Sequence, residues 1–268
     1  MYLAAPIFVG GAPRSGTTLA RAVLNAHPDI ACGPELRAFP ALARLYRETA
    51  AAMGPTLDAH YFFRADELRT SFRELIASFL APFHERSGKR FVAEKTPANA
   101  LYFQELYQLF PESRFVHVVR DPRDVVASLI KQDWRDEKTG ARLPITASVA
   151  GAAQGWCDHV AAARKAGADG APVFELRYEK LVGAPAQATA ELFRFLDVPP
   201  SEAPLSHHLA FSAGEGENET SAEAVARPLN AAAVGRGRRE LSREQIREIE
   251  TIAGSLLGEF GYRRAGET

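Results

Sequence analysis

Residues 10–18 read Gly10-Gly11-Ala12-Pro13-Arg14-Ser15-Gly16-Thr17-Thr18, and the reading of this stretch decides the fold. Before it runs Ala5-Pro6-Ile7-Phe8-Val9, short, apolar and rich in β-formers. After it, Thr17 to His27 places Leu19, Val23 and Leu24 on one helical face. A strand entering a glycine-rich turn that opens a helix makes an anion cradle. Glycine lets the backbone come close, and the first N–H groups of the helix point at the charge.

The position of the cation says which kind of cradle this is. A loop that manages a Mg-bound triphosphate reads G-x-x-x-x-G-K-[ST], with the lysine on the β- and γ-phosphates. Gly11 and Gly16 keep that separation, but Thr17 stands where the lysine belongs, and the cation is Arg14, inside the loop. The stretch therefore suits a phosphate-like group handled by other means. Pro13, Arg14, Ser15, Gly16, Thr17 and Thr18 are its candidate binding residues.

A hydrophobic content of 46% in 268 residues supports a full core and a single domain over 1–268. A net charge of −1 speaks against a general nucleic-acid or membrane-surface binder. The two cysteines, Cys32 and Cys157, are too few for a disulfide framework or a cysteine zinc site, which fits a reduced cytoplasmic setting. The chain reaches its first strand without a basic, then apolar leader, and has no run of about 20 apolar residues. Neither a signal peptide nor a membrane span is expected.

Downstream, the pattern alternates. Helices are predicted over Ala41 to Met53 and Asp66 to Phe83, separated by the Met53-Gly54-Pro55 break. Arg64, Arg69 and Arg73 form a solvated face or line an acidic acceptor's way in. Phe91-Val92-Ala93 is a strand ending in Glu94-Lys95-Thr96-Pro97, and Asn99 to Phe110 is a helix closed by Pro111. Arg114 to Val119 is a buried strand in which His117 is a satisfied core histidine and not a catalyst. Asp121 then caps a helix, Pro122 takes its first position, and Asp124 complements its dipole. Arg120 ends that strand, where a triphosphatase would want an acidic metal ligand.

Asp133 to Pro144 reads as a loop and Ile145 to Lys165 as a helix, with Cys157 as inert packing. Val173 to Leu176 is a strand that leads to Tyr178, and Pro185 to Leu196 is a helix. The stretch of about 199–237, with the acidic Gly214 to Thr220, reads as a mobile loop or lid. Beyond the glycine-arginine turn Val234 to Arg239, Ser242-Arg243-Glu244-Gln245 is a capping box. It opens a last helix carrying Ile249, Ala253, Leu256 and Phe260. Strands alternating with helices give an α/β fold, a three-layer parallel sheet with ligand loops at one edge.

The run Gly10 to His27, followed by Pro28-Asp29-Ile30-Ala31-Cys32-Gly33-Pro34-Glu35, resembles the sulfotransferases that use 3′-phosphoadenosine 5′-phosphosulfate. It is most similar to the tyrosylprotein branch and its bacterial relatives. Three later stations continue the resemblance. It implies the sulfotransferase fold, a sulfuryl donor nucleotide with no metal, a hydroxyl acceptor (peptide tyrosine, carbohydrate or small alcohol), and a homodimer as one option.

It also implies roles. Glu35 matches the catalytic base, though Pro34 and Leu36 depart from the family's usual neighbours, so acceptor identity does not carry over. Lys95 matches the lysine beside the sulfate. Arg120 and Ser128 match the 3′-phosphate motif, and Tyr178 the tyrosine beside the adenine. Arg236 and Arg238 lie in a stretch similar to the basic loop over the nucleotide, without its usual aromatic. Arg14 and the hydroxyls of Ser15, Thr17 and Thr18 would balance charge at the transferred group. The rival readings are a P-loop kinase or nucleotide hydrolase, and a non-catalytic nucleotide-binding protein.

Overall fold

A computed structural model of the chain describes residues 5–211 and 222–264. β1 (Ile7–Gly10) leads through the glycine-rich loop into α1 (Thr17–Asn25), and β2 (Ile30–Cys32) follows. α2 (Ala38–Tyr61) and α3 (Ala65–Ser87) pair as a long hairpin before β3 (Phe91–Lys95). A 3₁₀ turn, Pro97–Tyr102, runs into α4 (Phe103–Leu109), then come β4 (Arg114–Val119), α5 (Pro122–Leu129), α6 (Pro144–Ala147) and α7 (Val149–Ala168). β5 (Val173–Arg177) precedes α8 (Tyr178–Gly183) and α9 (Pro185–Leu196). The described remainder is a 3₁₀ turn (Ala203–Ser206), α10 (His207–Ala210), α11 (Ala222–Val225), α12 (Arg236–Glu240), α13 (Arg243–Ala253) and α14 (Leu256–Glu259).

The five strands lie in the order β2-β3-β1-β4-β5, every pairing parallel. Alternation along β1 builds both faces. Ile7 and Val9 pack with Val23, Leu24, Leu181 and Leu192 on one side, while Phe8 packs with Phe39, Phe103 and Phe115 on the other. Phe8 and Phe115, opposite one another in register, stack with ring centroids 5.7 Å apart. A third cluster around Trp156 joins α5, α7 and α13. The expected three layers are present.

Several local expectations need correction. Ile30–Cys32 is a strand that was not foreseen: three residues are too few to show a period, and only pairing with β3 defines them. The Gly54-Pro55 break does not break α2, which carries Pro55 inside it. The exposed turn there can solvate the carbonyl that loses its N–H partner. Asn99 to Phe110 divides into the 3₁₀ turn and α4, Ile145 to Lys165 divides at Ser148, and the last helix divides at Gly254.

Within the described parts of 199–237, His207 is buried and its Nε2 lies 3.0 Å from the Val225 carbonyl, whereas Arg227, Pro228 and Asn230 to Ala232 are exposed. Gly214 to Thr220 lies outside the described residues. His117 is fully buried, and burial pulls its imidazole down to about 3, but neither ring nitrogen has a hydrogen-bond partner among the described residues, so it is a core histidine without the satisfaction expected of it. Burial likewise pushes the Cys157 thiol up to about 11, which fits inert packing. No helix of the described residues is long and apolar enough to cross a membrane.

Candidate active site

All five strands end at the same edge, and each delivers a site residue there. β1 gives the loop Pro13 to Thr18, β2 is followed by Glu35, β3 ends in Lys95, β4 is followed by Arg120 and β5 by Tyr178. Ligands of open parallel sheets sit at this edge. Here it opens on a cavity of about 1020 Å³ lined by Pro13, Arg14, Gly16, Thr17, Thr18, Glu35, Arg120, Ser128, Tyr178 and Arg236, among others.

Two glycines make the loop fit. A Cβ on Gly11 would stand 2.3 Å from the Val118 carbonyl oxygen, so the loop can cross β4 only there. Gly16, the N-cap of α1, has φ 100°, and a Cβ would strike the Tyr178 ring at 2.5 Å. The first N–H groups of α1 thus face the cavity without intrahelical partners.

At one end the cations gather. Arg14 Nε donates to Ser128 Oγ at 3.0 Å, and Arg120 Nη1 reaches the Arg14 carbonyl at 3.5 Å. Burial, then the charges of Arg236 and Arg120, pull the Arg14 guanidinium below its ordinary value. Asp124, 1% exposed, accepts from Arg120 Nη2 at 3.3 Å and from the N–H groups of Gly235 and Gly237 at 2.9 and 2.7 Å. Read from sequence as a dipole complement alone, Asp124 clamps the glycine-arginine turn onto β4's end. Trp156 Nε1 donates to the Arg120 carbonyl at 3.0 Å and fixes its backbone. Arg120 Nε and the buried Ser15 Oγ have no hydrogen-bond partner among the described residues. A buried guanidinium donor left over beside a helix N-terminus fits a bound phosphate oxygen.

At the other end stands Glu35. Its Oε1 accepts from Lys95 Nζ at 2.6 Å and its Oε2 from Arg37 Nε at 3.4 Å. Behind it, Glu94 is buried between Thr96 and Asn99. Burial pushes the Glu94 carboxyl up against the pull of hydrogen bonds from Asn99, Thr96 and Leu36.

Arg14, Ser15, Lys95, Tyr178 and Arg238 take placements that no local pattern gives. Arg14, expected beside the transferred group, joins Ser128 at the end expected to hold the 3′-phosphate, and Glu35's cations are Lys95 and Arg37. Ser15 and Lys95, each 0% exposed, lie behind the cavity wall. Tyr178 is in the wall, with Arg120 Cζ 4.3 Å from its ring centroid and Gly16 packed on its edge, so the ring also braces the loop. Arg238 is outside the wall: its Nη2 donates to the Arg263 carbonyl, while Arg236 lines the cavity, held by Glu240. Arg64, Arg69 and Arg73 do not line it either.

Residues 6–202 match the model of the sulfotransferase family. Over 266 residues the chain is 30% identical to a protein-tyrosine sulfotransferase of Drosophila melanogaster, covering 96% of this chain and 51% of that one, so it spans about half that relative's length. Over 274 residues it is 28% identical to a putative protein-tyrosine sulfotransferase of Caenorhabditis briggsae, covering 96% of this chain and 88% of that one. The solved sulfotransferase domain from the curacin biosynthetic pathway shares the fold, with a TM-score of 0.65 and 18% identity over 99% of this chain and 100% of that one. The chain belongs to the sulfotransferase family.

Proposed function

We propose that this sulfotransferase takes a sulfuryl group from 3′-phosphoadenosine 5′-phosphosulfate and places it on a hydroxyl acceptor. One observation carries the reading: a single cavity holds a preassembled cationic end and, at its other end, a carboxylate paired with a lysine. Arg14, Arg120, Ser128 and Arg236 take the 3′-phosphate of the donor. Thr17, Thr18 and the first N–H groups of α1 take its 5′ end.

Glu35 accepts the proton of the acceptor hydroxyl as that oxygen forms its bond to sulfur. The bond between sulfur and the bridging oxygen breaks, and its electron pair leaves with 3′,5′-adenosine bisphosphate. Lys95 and the loop donors balance the charge that gathers on oxygen. The cavity wall includes Pro40, Trp134 and Leu143 as well as Arg37 and Arg135, which suits a hydroxyl on an apolar or aromatic frame. The names of the relatives put peptide tyrosine first among the options.

Calorimetry tests the donor. The bisphosphate is expected to bind without magnesium and more tightly than AMP by roughly 1.5–3 kcal/mol, one charge-assisted contact set. ATP should gain nothing comparable from magnesium. Equal affinity for AMP and the bisphosphate would overturn the assignment.

A further inference from the structure

The segment that carries Glu35 is poorly anchored by its own side chains. Leu36 is 42% exposed, and the Arg37 side chain 69%. Arg37 also takes φ 56°, a left-handed conformation that a non-glycine residue keeps only when its surroundings enforce it. Apolar burial therefore does not set the carboxylate's place.

Hydrogen bonds from the end of β3 do. Leu36 N–H donates to Glu94 Oε1 at 3.4 Å, and Arg37 N–H donates to Thr96 Oγ1 at 3.2 Å. Thr96 Oγ1 in turn donates to Glu94 Oε1 at 2.7 Å, so both backbone groups following Glu35 are tied to one buried acid. Its second oxygen, Oε2, accepts from Asn99 Nδ2 at 2.6 Å. That same amide donates to the Val9 carbonyl at 3.1 Å, immediately before the glycine-rich loop. Thr96 N–H reaches the Val9 carbonyl as well, and Gly11 N–H donates to the Pro97 carbonyl at 2.9 Å.

We propose that Glu94, acting through Thr96, is a positioning residue that sets Glu35 against Lys95 and ties the base segment to the phosphate loop. This rests on Glu35 as the base. Glu94 is not part of the cavity wall; three donors converge on its two oxygens, a demand that an amide would meet with a donor facing a donor. Thr96 is the joint, because its hydroxyl is at once acceptor from Arg37 and donor to Glu94.

The test reads the position of Glu35 without needing an acceptor. Lys95, with a side chain 0% exposed beneath Glu35, is labelled with an acetylating reagent and quantified by peptide mass spectrometry. Wild-type Lys95 should be protected. In Thr96→Val and in Glu94→Gln its labelling should rise about tenfold, the population change that follows loss of such a hydrogen bond. Thr96→Ser should restore protection. Lys89, whose Nζ is held by the carbonyls of Asn25, His27 and Ile30, should label equally in every variant.

Lys95 protection unchanged in Thr96→Val would overturn the proposal. So would release of Lys89 together with Lys95, which would mean general loosening. Affinity of Thr96→Val for 3′,5′-adenosine bisphosphate should match wild type. Failure of that nucleotide to bind any form would remove the donor reading and leave the labelling result standing by itself.

Discussion

Two buried acids hold the two ends of the cavity, and they do it differently. Asp124 sits at the donor end, where it joins a guanidinium and two backbone N–H groups from a turn more than 110 residues away in sequence. Glu94 sits at the acceptor end and holds neutral donors only, from Leu36, Thr96 and Asn99. Bonds between charged partners are the stronger kind. The donor end thus gathers a cation and a distant turn on one buried acid, whereas the backbone of the base segment rests on neutral donors and a left-handed Arg37, with Lys95 pairing the Glu35 carboxylate itself. On the proposed reading, one end recognises a constant group and the other has to admit an acceptor and take its proton.

The comparison breaks most visibly at Glu35. Glu35→Gln should reduce sulfuryl transfer by about 10²–10⁴, the usual share of general base catalysis, while affinity for 3′,5′-adenosine bisphosphate stays close to wild type. Joint loss of affinity and rate would mean that the two ends are not separable. Asp124→Asn should do the reverse. It sets an amide against N–H donors at a buried site, and bisphosphate affinity should fall roughly 10- to 100-fold by calorimetry with little change for AMP. Equal loss for both nucleotides would show that Asp124 supports the whole loop.

Acid tests the core that backs the donor end. His117 lies three residues before Arg120, and its native value is about 3 against an ordinary 6.5. Between those values the unfolded chain binds a proton that the native state refuses. Stability should therefore fall as pH drops from about 6.5 toward 3, by at most ~1.4 kcal/mol per unit. In His117→Phe, urea titrations should show a shallower fall over that window.

Much of this was legible in the residues. The strand–glycine–helix run, Arg120 at a strand's end and the Ser242 capping box are local patterns, and each appears in the structure where the pattern puts it. What escaped depends on partners far away. β2 is a strand because β3 lies beside it, and Tyr178 is a brace because Arg120 covers it. Asp124 had a sufficient local explanation as a first-turn acid, which hid its grip on Gly235 and Gly237. The part that Glu94 plays is hidden for the same reason, since its donors come from residues 36, 96 and 99 and no short pattern joins them. The identity of the arginine in the wall, 236 instead of 238, is decided by how α12 presents one turn.

The crowding of Arg14, Arg120 and Arg236 reaches beyond the reaction. Three like charges are brought together by folding alone, with repulsion that an anion relieves. Resistance to heat will accordingly follow the counter-anion as well as the ionic strength, with sulfate or phosphate raising the melting temperature more than chloride at equal strength. A preparation kept in such buffers will look sturdier and bind its donor more weakly than the same protein in chloride.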